Sequence, residues 1–269
     1  DTTDRNRTSP FAFTGNKFEF RMPGSAENLS DANFILNTAV AKSLSDFADE
    51  TTDAADFECA AAAWVKKTLN EHRRVIFNGN GYSEAWEVEA ERRGLPNRKC
   101  TPDAMVALKE PKNIQLMEEF GVLTKTEMLS RYEVEMEHYS KVINIEARTM
   151  VKIANKQLIP AVNAYMGDVA STAAAKQSVS EKLSIRSEEK LLDRLSAYAD
   201  AMSDAVDALQ KIADETAAMT DETAKAHACH DAVLPAMAKL RASADAAEEI
   251  CREDYWPLPC YSRLLFYTE

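Results

Sequence analysis

The chain has 269 residues, a mass of 29.9 kDa and 45% apolar residues, which suffices for one large or two smaller globular domains with a real core. Its formal net charge of −12 and pI near 5.0 argue against a nucleic-acid partner, because phosphate neutralisation requires a basic surface. The sequence has no uninterrupted apolar run of about 18 residues, and its scattered cysteines form no Cys-x-x-Cys pair. We therefore expect a cytoplasmic protein with reduced thiols and no membrane partner.

The first segment with chemical content covers residues 4 to 24. Within it, residues 17 to 22 alternate charged with apolar side chains, the period of a strand with one buried face. Lys17, Glu19 and Arg21 would then point the same way. Such a mixed-charge face is either the solvated outer face of an antiparallel sheet or a site for an anionic, metal-bound ligand. The pattern alone leaves both interpretations open.

Helices are predicted for most of the remaining chain. The first runs from Ser30, a plausible N-cap, to Ala48, and its three- and four-residue spacing of apolar side chains indicates a core face made of Phe34, Val40, Leu44 and Phe47. Further helices are predicted from Phe57 to Phe77 and from Glu84 to Arg93, the latter capped by Ser83 and closed by Gly94. Two more begin at Thr101 and Pro111.

Larger helices are predicted from Thr124 onward. A long amphipathic helix continues past Pro160 with a kink, and its stripe runs through Leu129, Tyr132, Met136, Tyr139, Ile143, Met150 and Ala154. Two later segments repeat a 4-3 apolar spacing, one from Leu191 to Thr216 and one from Val233 to Ala247. We predict an antiparallel helical bundle in which these seams are simple core.

The C-terminal residues 255 to 266 are apolar, aromatic and stiffened by two prolines. A tail of this hydrophobicity is expected to dock on protein. The early helices of the same chain are the favoured partner, and a neighbouring subunit is the alternative.

Three separated segments resemble one known family. NRTSPFAFTGNKFEFRMPGSAENLSDANFILNTAVA, residues 6 to 41, closely resembles the end of the catalytic domain of type III glutamine synthetases. FNGNGYSEAWEVEAERRGLPN at residues 77 to 97 and YWPLPCYSRLLF at 255 to 266 resemble the C-terminal extension of the same enzymes. The resemblance thus covers essentially the whole chain.

The resemblance implies roles for four residues near the start. Arg7 matches the catalytic arginine beside the transferred phosphoryl group, and Arg21 matches the catalytic arginine that holds the glutamate substrate. Glu19 matches a carboxylate ligand of a divalent metal, Mg or Mn, and Lys17 falls where type I enzymes carry an ATP-contacting arginine. Type I enzymes have a further arginine at the position of Ala12, so that contact is absent or comes from elsewhere.

The residue types agree with this chemistry. Activation of glutamate by phosphorylation spreads negative charge over phosphoryl oxygens, which requires fixed cations and metal rather than a protein nucleophile. Arginine stays protonated and presents a rigid fork, so Arg7 and Arg21 suit this task better than lysine would.

The resemblance also implies an architecture. It predicts a mainly α fold in which residues 1 to 54 form the end of a glutamine synthetase catalytic domain, with a short β segment, and residues 55 to 269 form a helical domain with a long hairpin. The helix from Ser30 would pack beneath the active-site strands.

The expected activity is ATP-dependent ligation of ammonia to glutamate through a glutamyl phosphate, in a ring-shaped homo-oligomer, a dodecamer in this family. The family's remaining metal ligands and most of its nucleotide pocket match no residue here, so these 269 residues alone are expected to be inactive. The alternative is a non-catalytic helical assembly module.

Overall fold

The computed structural model describes residues 11–13, 18–20, 28–77, 81, 83–259 and 264–265, with side chains from residue 28 onward. Within these ranges the chain is mainly helical, as predicted. It divides into two compact units, Asp1–Arg131 and Tyr132–Glu269, which are considered separately.

The first unit combines one strand pair with short and medium helices. Strand β1 (Phe11–Phe13) pairs antiparallel with β2 (Phe18–Phe20), with Ala12 opposite Glu19 in the register. The helices are α1 (Leu29–Thr51), α2 (Phe57–Glu71), α3 (Glu84–Arg92), α4 (Thr101–Met105) and α5 (Pro111–Glu119), followed by the first residues of α6 (Lys125–Ile153). The helix starts predicted at Thr101 and Pro111 are therefore confirmed.

Helix α1 differs from its prediction in its cap and in its core face. The cap is Asn28, whose side chain accepts a hydrogen bond from the Ser30 backbone N–H at 2.8 Å, so the helix begins one residue before the predicted cap. Phe34 packs against the small core of Ile114, Met117 and Met128. In contrast, Val40 and Leu44 are 44% and 62% exposed, whereas Phe47 packs against Trp64 of α2 with a ring-centroid separation of 5.1 Å.

Helix α2 ends earlier than predicted because another side chain binds the following carbonyls. The helix stops at Glu71, and a 3₁₀ turn follows at Arg73–Val75. The guanidinium of Arg93 donates to the carbonyl oxygens of Arg74 at 3.2 Å and Ile76 at 2.8 Å. These carbonyls are thereby satisfied outside a helix.

The same guanidinium organises the segment on either side of the turn. Arg93 Nε donates to Glu89 Oε1 at 2.5 Å, and the guanidinium carbon lies 5.5 Å from the centroid of the Trp86 ring. Trp86 stacks on Phe77 with a centroid separation of 4.1 Å. Gly94, at φ +68°, ends α3 in the left-handed conformation that glycine adopts without strain, as predicted. We call Phe77, Trp86, Glu89 and Arg93 the arginine clasp.

The second unit is a bundle built on α8 (Arg186–Ala217). The rest of α6, α7 (Ile159–Val179), α9 (Glu222–Ala228) and α10 (Leu234–Glu248) surround it. Ion pairs give the directions: Arg148 of α6 contacts Asp214 near the end of α8, whereas Lys176 of α7 contacts Glu188 near the start of α8. The α6–α7 rod is therefore antiparallel to α8, as predicted.

The bundle core follows the predicted seams. Leu195, Met202 and Leu209 of α8 are fully buried, and Val233, Leu240, Ala244 and Ala247 line the facing helix. Arg186–Ala217 buries residues at alternating four- and three-residue steps, the spacing of coiled-coil seams. The predicted seam is thus confirmed at Leu195, Met202, Leu209 and Thr216. Between these positions the buried residues are Ala199, Val206 and Ala213, each one residue after the predicted Tyr198, Ala205 and Ile212, which are partly buried beside the core.

Two π-helical segments interrupt the bundle helices, Ala154–Leu158 and Cys229–Val233. Each directly precedes a helix whose second residue is proline, Pro160 in α7 and Pro235 in α10. A proline ring clashes with the carbonyl four residues earlier, and that carbonyl belongs to the π segment in both places. At the kink predicted near Pro160, the helix thus passes through one π-helical turn and continues as α7.

The favoured prediction, that the C-terminal tail docks on the early helices, is wrong for Tyr255 and Trp256. Tyr255 packs beside Tyr165, and Trp256, which is 7% exposed, joins the bundle core of its own unit. The tail start therefore docks on the late helices rather than on the early ones. Residues 260–263 and 266–269 lie outside the described residues.

Substitution of a fully buried seam residue should destabilise the bundle. We expect Leu209→Ala to lower the free energy of unfolding by about 2–5 kcal/mol, because the cavity it leaves adds to the lost transfer free energy. The same change at Leu183, which is 44% exposed, should cost less than about 1 kcal/mol. Urea unfolding followed by circular dichroism measures both, and equal losses would contradict the core assignment.

The arginine clasp should respond to acid. Hydrogen bonds from Arg92 and then Arg93 lower the pKa of Glu89 from 4.5 to about 2. A depressed folded-state pKa means that the clasp contributes fully above the ordinary value and weakens as the pH falls toward 2. We expect the Trp86 indole N–H resonance to shift over that range in the wild type. The shift should be absent in Glu89→Gln and retained in Glu91→Gln, whereas a shift in Glu89→Gln would assign the transition to another group.

Candidate functional site

The four residues with predicted catalytic roles lie in the first 21 positions. Arg7, Lys17 and Arg21 fall outside the described residues, and Glu19 is described by its backbone alone, in β2 opposite Ala12. The structure therefore does not test whether these side chains come together, and their roles stay predictions.

The donor chemistry at Glu19 is compatible with the metal that the family implies. A carboxylate offers hard oxygen ligands, which Mg and Mn prefer over nitrogen or sulfur. One carboxylate holds a divalent ion only with further ligands, since Mg takes about six oxygen donors. Across the part of the chain described with side chains, no group of three or more His, Cys, Asp or Glu residues is arranged to hold a metal ion.

The second unit contains a partly open cavity of about 120 Å³ that sequence reasoning missed. We call it the polar cavity because charged side chains line it beside apolar ones. Its walls come from α6, the end of α8, α9 and the π segment Cys229–Val233, and its polar lining includes Glu137, Lys141, Asn144, Glu222 and Lys225. No sequence signal could have identified it, because these residues are far apart in the chain and of types that are common on solvated helix faces.

Two ion pairs define the electrostatics of this cavity. Lys141 Nζ lies 2.6 Å from Glu137 Oε1, and Lys225 Nζ lies 2.6 Å from Glu222 Oε1. The hydrogen bond from Lys141 lowers the pKa of Glu137. The second oxygen of Glu222, Oε2, is shielded from solvent and has no hydrogen-bond partner among the described residues.

The cysteine in the cavity wall is buried and unreactive in character. Burial raises the pKa of the Cys229 thiol, and its Sγ lies 4.0 Å from the carbonyl oxygen of Ser140. A protonated thiol is a poor nucleophile and a poor metal ligand. Cys229 therefore shapes the wall rather than supplying chemistry.

Among the described residues, no helix combines the length and apolarity that a bilayer-spanning segment needs. The open groove between α1 and α2, about 270 Å³, is lined by four carboxylates and by five other residues, among them Lys67 and Trp64. Lys67 pairs with Glu50 at 2.9 Å, which is an exposed contact of the kind common on solvated surfaces.

Comparison with known proteins identifies relatives over nearly the full chain. It is 36% identical over 273 aligned positions to the type-3 glutamine synthetase of Dictyostelium discoideum, and the alignment covers 99% of this chain and 37% of that protein. It is 36% identical to a glutamine synthetase of Butyrivibrio fibrisolvens and 31% identical to one of Bacteroides fragilis, again over 99% of the chain. The chain thus spans under two-fifths of the length of these relatives, 37% to 38%.

A family model agrees with these alignments. Residues 60–177 match the glutamine synthetase C-terminal domain, a range that includes the arginine clasp and runs through α6 into α7. The chain is therefore similar over 99% of its length to a type-3 glutamine synthetase, and its residues 60–177 match the glutamine synthetase C-terminal domain, in agreement with the family that its sequence motifs resemble.

Proposed function

We propose that this chain is the C-terminal portion of an ATP-dependent ligase that joins ammonia to L-glutamate through a glutamyl phosphate, in nitrogen metabolism. The observation that carries the proposal is the 36% identity to a type-3 glutamine synthetase over 99% of the chain. Residues 1 to 54 would contribute the end of the catalytic domain, and residues 55 to 269 would form the helical domain. A cytoplasmic location follows from this role.

The proposed reaction assigns a separate task to each charged residue near the start. Arg21 would hold the glutamate carboxylate through its bidentate fork, which positions the side-chain carboxylate to attack the terminal phosphorus of ATP. Arg7 would lie beside the phosphoryl group during transfer and stabilise the charge on its equatorial oxygens. Lys17 would contact the nucleotide as a point charge.

Glu19 would hold a divalent ion, Mg or Mn, by its carboxylate oxygens. When bound, the ion neutralises charge on the phosphates of ATP. The antiparallel pairing of β1 with β2 supports the assignment, because backbone pairing with a second strand holds the backbone at Glu19 in place. Sites built on strands are more precise than sites on loops.

The same proposal holds that the 269 residues do not form glutamine by themselves. The family's other metal carboxylates and most of its nucleotide contacts match no residue in this chain. Two arginines can bind substrate oxygens and one carboxylate can supply a metal ligand, but together they do not complete the metal coordination that phosphoryl transfer requires.

Substitutions in the natural polypeptide that contains this chain test the site. We expect Glu19→Gln and Arg21→Lys each to lower kcat/KM for glutamate by about 100-fold or more, since the first removes a metal ligand and the second removes the bidentate fork that holds glutamate. Lys17→Arg should retain activity, because type I enzymes carry arginine there. A steady-state assay with ATP, glutamate and ammonia measures the rates.

The control for that assay is oligomeric mass, which should be the same in every variant. An unchanged rate in Glu19→Gln and Arg21→Lys would remove the site assignment. Turnover by the isolated 269 residues would remove the proposal that they are inactive alone.

A second candidate role, assembly, is favoured by the uncovered face of α1. Leu29, Val40 and Leu44 recur on one side of the helix and are 71%, 44% and 62% exposed. Apolar stripes of this kind on a helix indicate a missing partner. We infer that α1 contributes to a homo-oligomer, for which the family implies a ring of twelve subunits.

An acidic residue on this face should weaken the assembly. We expect Leu44→Asp to raise the dissociation constant between subunits of the natural polypeptide by about tenfold or more, because an unpaired charge would be buried at the contact. Leu183→Asp makes the same change at an exposed position in the other unit and should leave the mass unaltered. Mass photometry across a dilution series measures both. Equal masses for Leu44→Asp and wild type would remove α1 from the interface.

A further inference from the structure

The segment that follows α10 joins that helix to α7. We call residues 251–256 the tail strap. Cys251 and Trp256 lie in the bundle core, and the centroid of the Tyr255 ring lies 5.4 Å from that of Tyr165 on α7. Helices α7 and α10 each pack along α8, whereas their own backbones meet at few points. The tail strap is therefore a bridge between these two helices.

The polar contact between the tail strap and α7 is weak. Arg252 Nη1 lies 3.5 Å from Asp168 Oδ2, and both side chains are about half exposed. Ion pairs of this kind contribute little, because water and salt screen them. The guanidinium carbon of Arg252 also lies 4.9 Å from the centroid of the Tyr255 ring, and its Nε lies 3.4 Å from Asp254 Oδ2. Those two contacts are internal to the strap, so they do not hold it on α7.

The packing beside the tail strap is incomplete. An open cavity of about 260 Å³ is lined by Arg252 of the strap, by Tyr165 and Val169 of α7, and by Ser187 and Leu191 near the start of α8. Atoms that face a gap lose the dispersion contacts that close packing provides. The strap is therefore held mainly by the burial of its own aromatic ring at Trp256.

The indole of Trp256 also carries a contribution that opposes closure. Its Nε1–H is shielded from solvent and has no acceptor among the described residues. A buried donor without an acceptor is costly, whereas the same N–H donates to water when the ring is exposed. Burial of the ring thus favours a closed strap, and the missing acceptor favours an open one.

The α8 seam has no such opposing contribution. Its residues Leu195, Met202 and Leu209 are fully buried and carry no polar side-chain atom. Proteins open locally where few apolar contacts hold a segment, while their cores open only in global unfolding. The strap and the seam are therefore expected to differ in stability within one unit.

We propose that the tail strap is a local conformational switch, which opens from α7 and closes again while α8 and its seam stay folded. Burial of the Trp256 ring drives closure, and the indole N–H without an acceptor keeps the closed state only modestly favoured. Opening exposes Trp256 together with Tyr165 at one end of the bundle. The switch belongs to the helical unit and does not depend on the proposed ligase activity.

Hydrogen exchange of the Trp256 indole N–H, followed by NMR on the full 269-residue chain, tests the proposal. Without an acceptor, this hydrogen is protected by burial alone, so it exchanges only when the strap opens. We expect its protection factor to be at least about 100-fold below that of the Leu209 backbone amide and insensitive to low urea, because local opening exposes little surface. Trp256→Phe assigns the resonance.

Two charge variants test the contact with α7. Asp168→Asn removes the ion pair with Arg252 and should raise the indole exchange rate by about twofold to fivefold, the range for an exposed pair. Asp200→Asn makes the same change at an exposed position of α8 and should exchange like wild type.

A second measurement isolates the indole N–H. Semisynthesis with a peptide that begins at Cys251 allows Trp256 to be replaced by 3-benzothienylalanine, which keeps the ring shape and has sulfur in place of the N–H. Alkylation of the buried Cys251, compared with the buried Cys229 by peptide mass spectrometry, then reports opening. We expect Cys251 to react at least about 100-fold faster than Cys229 with tryptophan at 256, and at least about fivefold more slowly with benzothienylalanine there than with tryptophan.

Three results would each overturn the proposal. They are an indole hydrogen as protected as the Leu209 amide, equal exchange in Asp168→Asn and wild type, and equal Cys251 reactivity in the two semisynthetic chains. The first would mean that the strap opens only when the whole bundle unfolds.

Discussion

The apolar seam of α8 is the constraint on which the second unit depends. Leu195, Met202 and Leu209 are buried at seven-residue spacing and hold the α6–α7 rod on one side and α10 on the other. Burial of each such side chain is worth about 1.5–3 kcal/mol, more than an exposed ion pair contributes. The seam therefore determines which polar residues meet, including Arg148 with Asp214 and the four charged residues of the polar cavity.

Helix positions and the bundle seams could be predicted from the sequence because they depend on local periodicity. The 4-3 spacing from Leu191 to Thr216 is a property of one helix and survives in the structure. The end of α2 could not be predicted, since it depends on Arg93, which lies about twenty residues later and takes the carbonyls of Arg74 and Ile76. The docking position of the C-terminal tail could not be predicted either, because the sequence of an apolar segment does not specify which apolar surface it packs against.

The predicted catalytic residues and the cavity of the second unit differ in how they can be found. Arg7, Lys17, Glu19 and Arg21 lie within fifteen positions, so alternation and family resemblance together single them out. Glu222 becomes notable only when α6, α8 and α9 are packed and one of its oxygens is left without a donor. Residue patterns along the chain carry no information about such an atom. The exposed apolar residues of α1 could be predicted only in part. Their helical spacing is visible in the sequence, but their exposure is known only from the structure.

We propose that Glu19 and Arg21 belong to a metal- and glutamate-binding active site. The most direct measurement is a structure of the natural polypeptide containing this chain, bound to Mn, an ATP analogue and glutamate. We predict a Glu19 carboxylate oxygen about 2.0–2.2 Å from the metal and the Arg21 guanidinium within hydrogen-bonding distance of the glutamate carboxylate. A metal coordinated elsewhere, with the Glu19 side chain in solvent, would contradict the account.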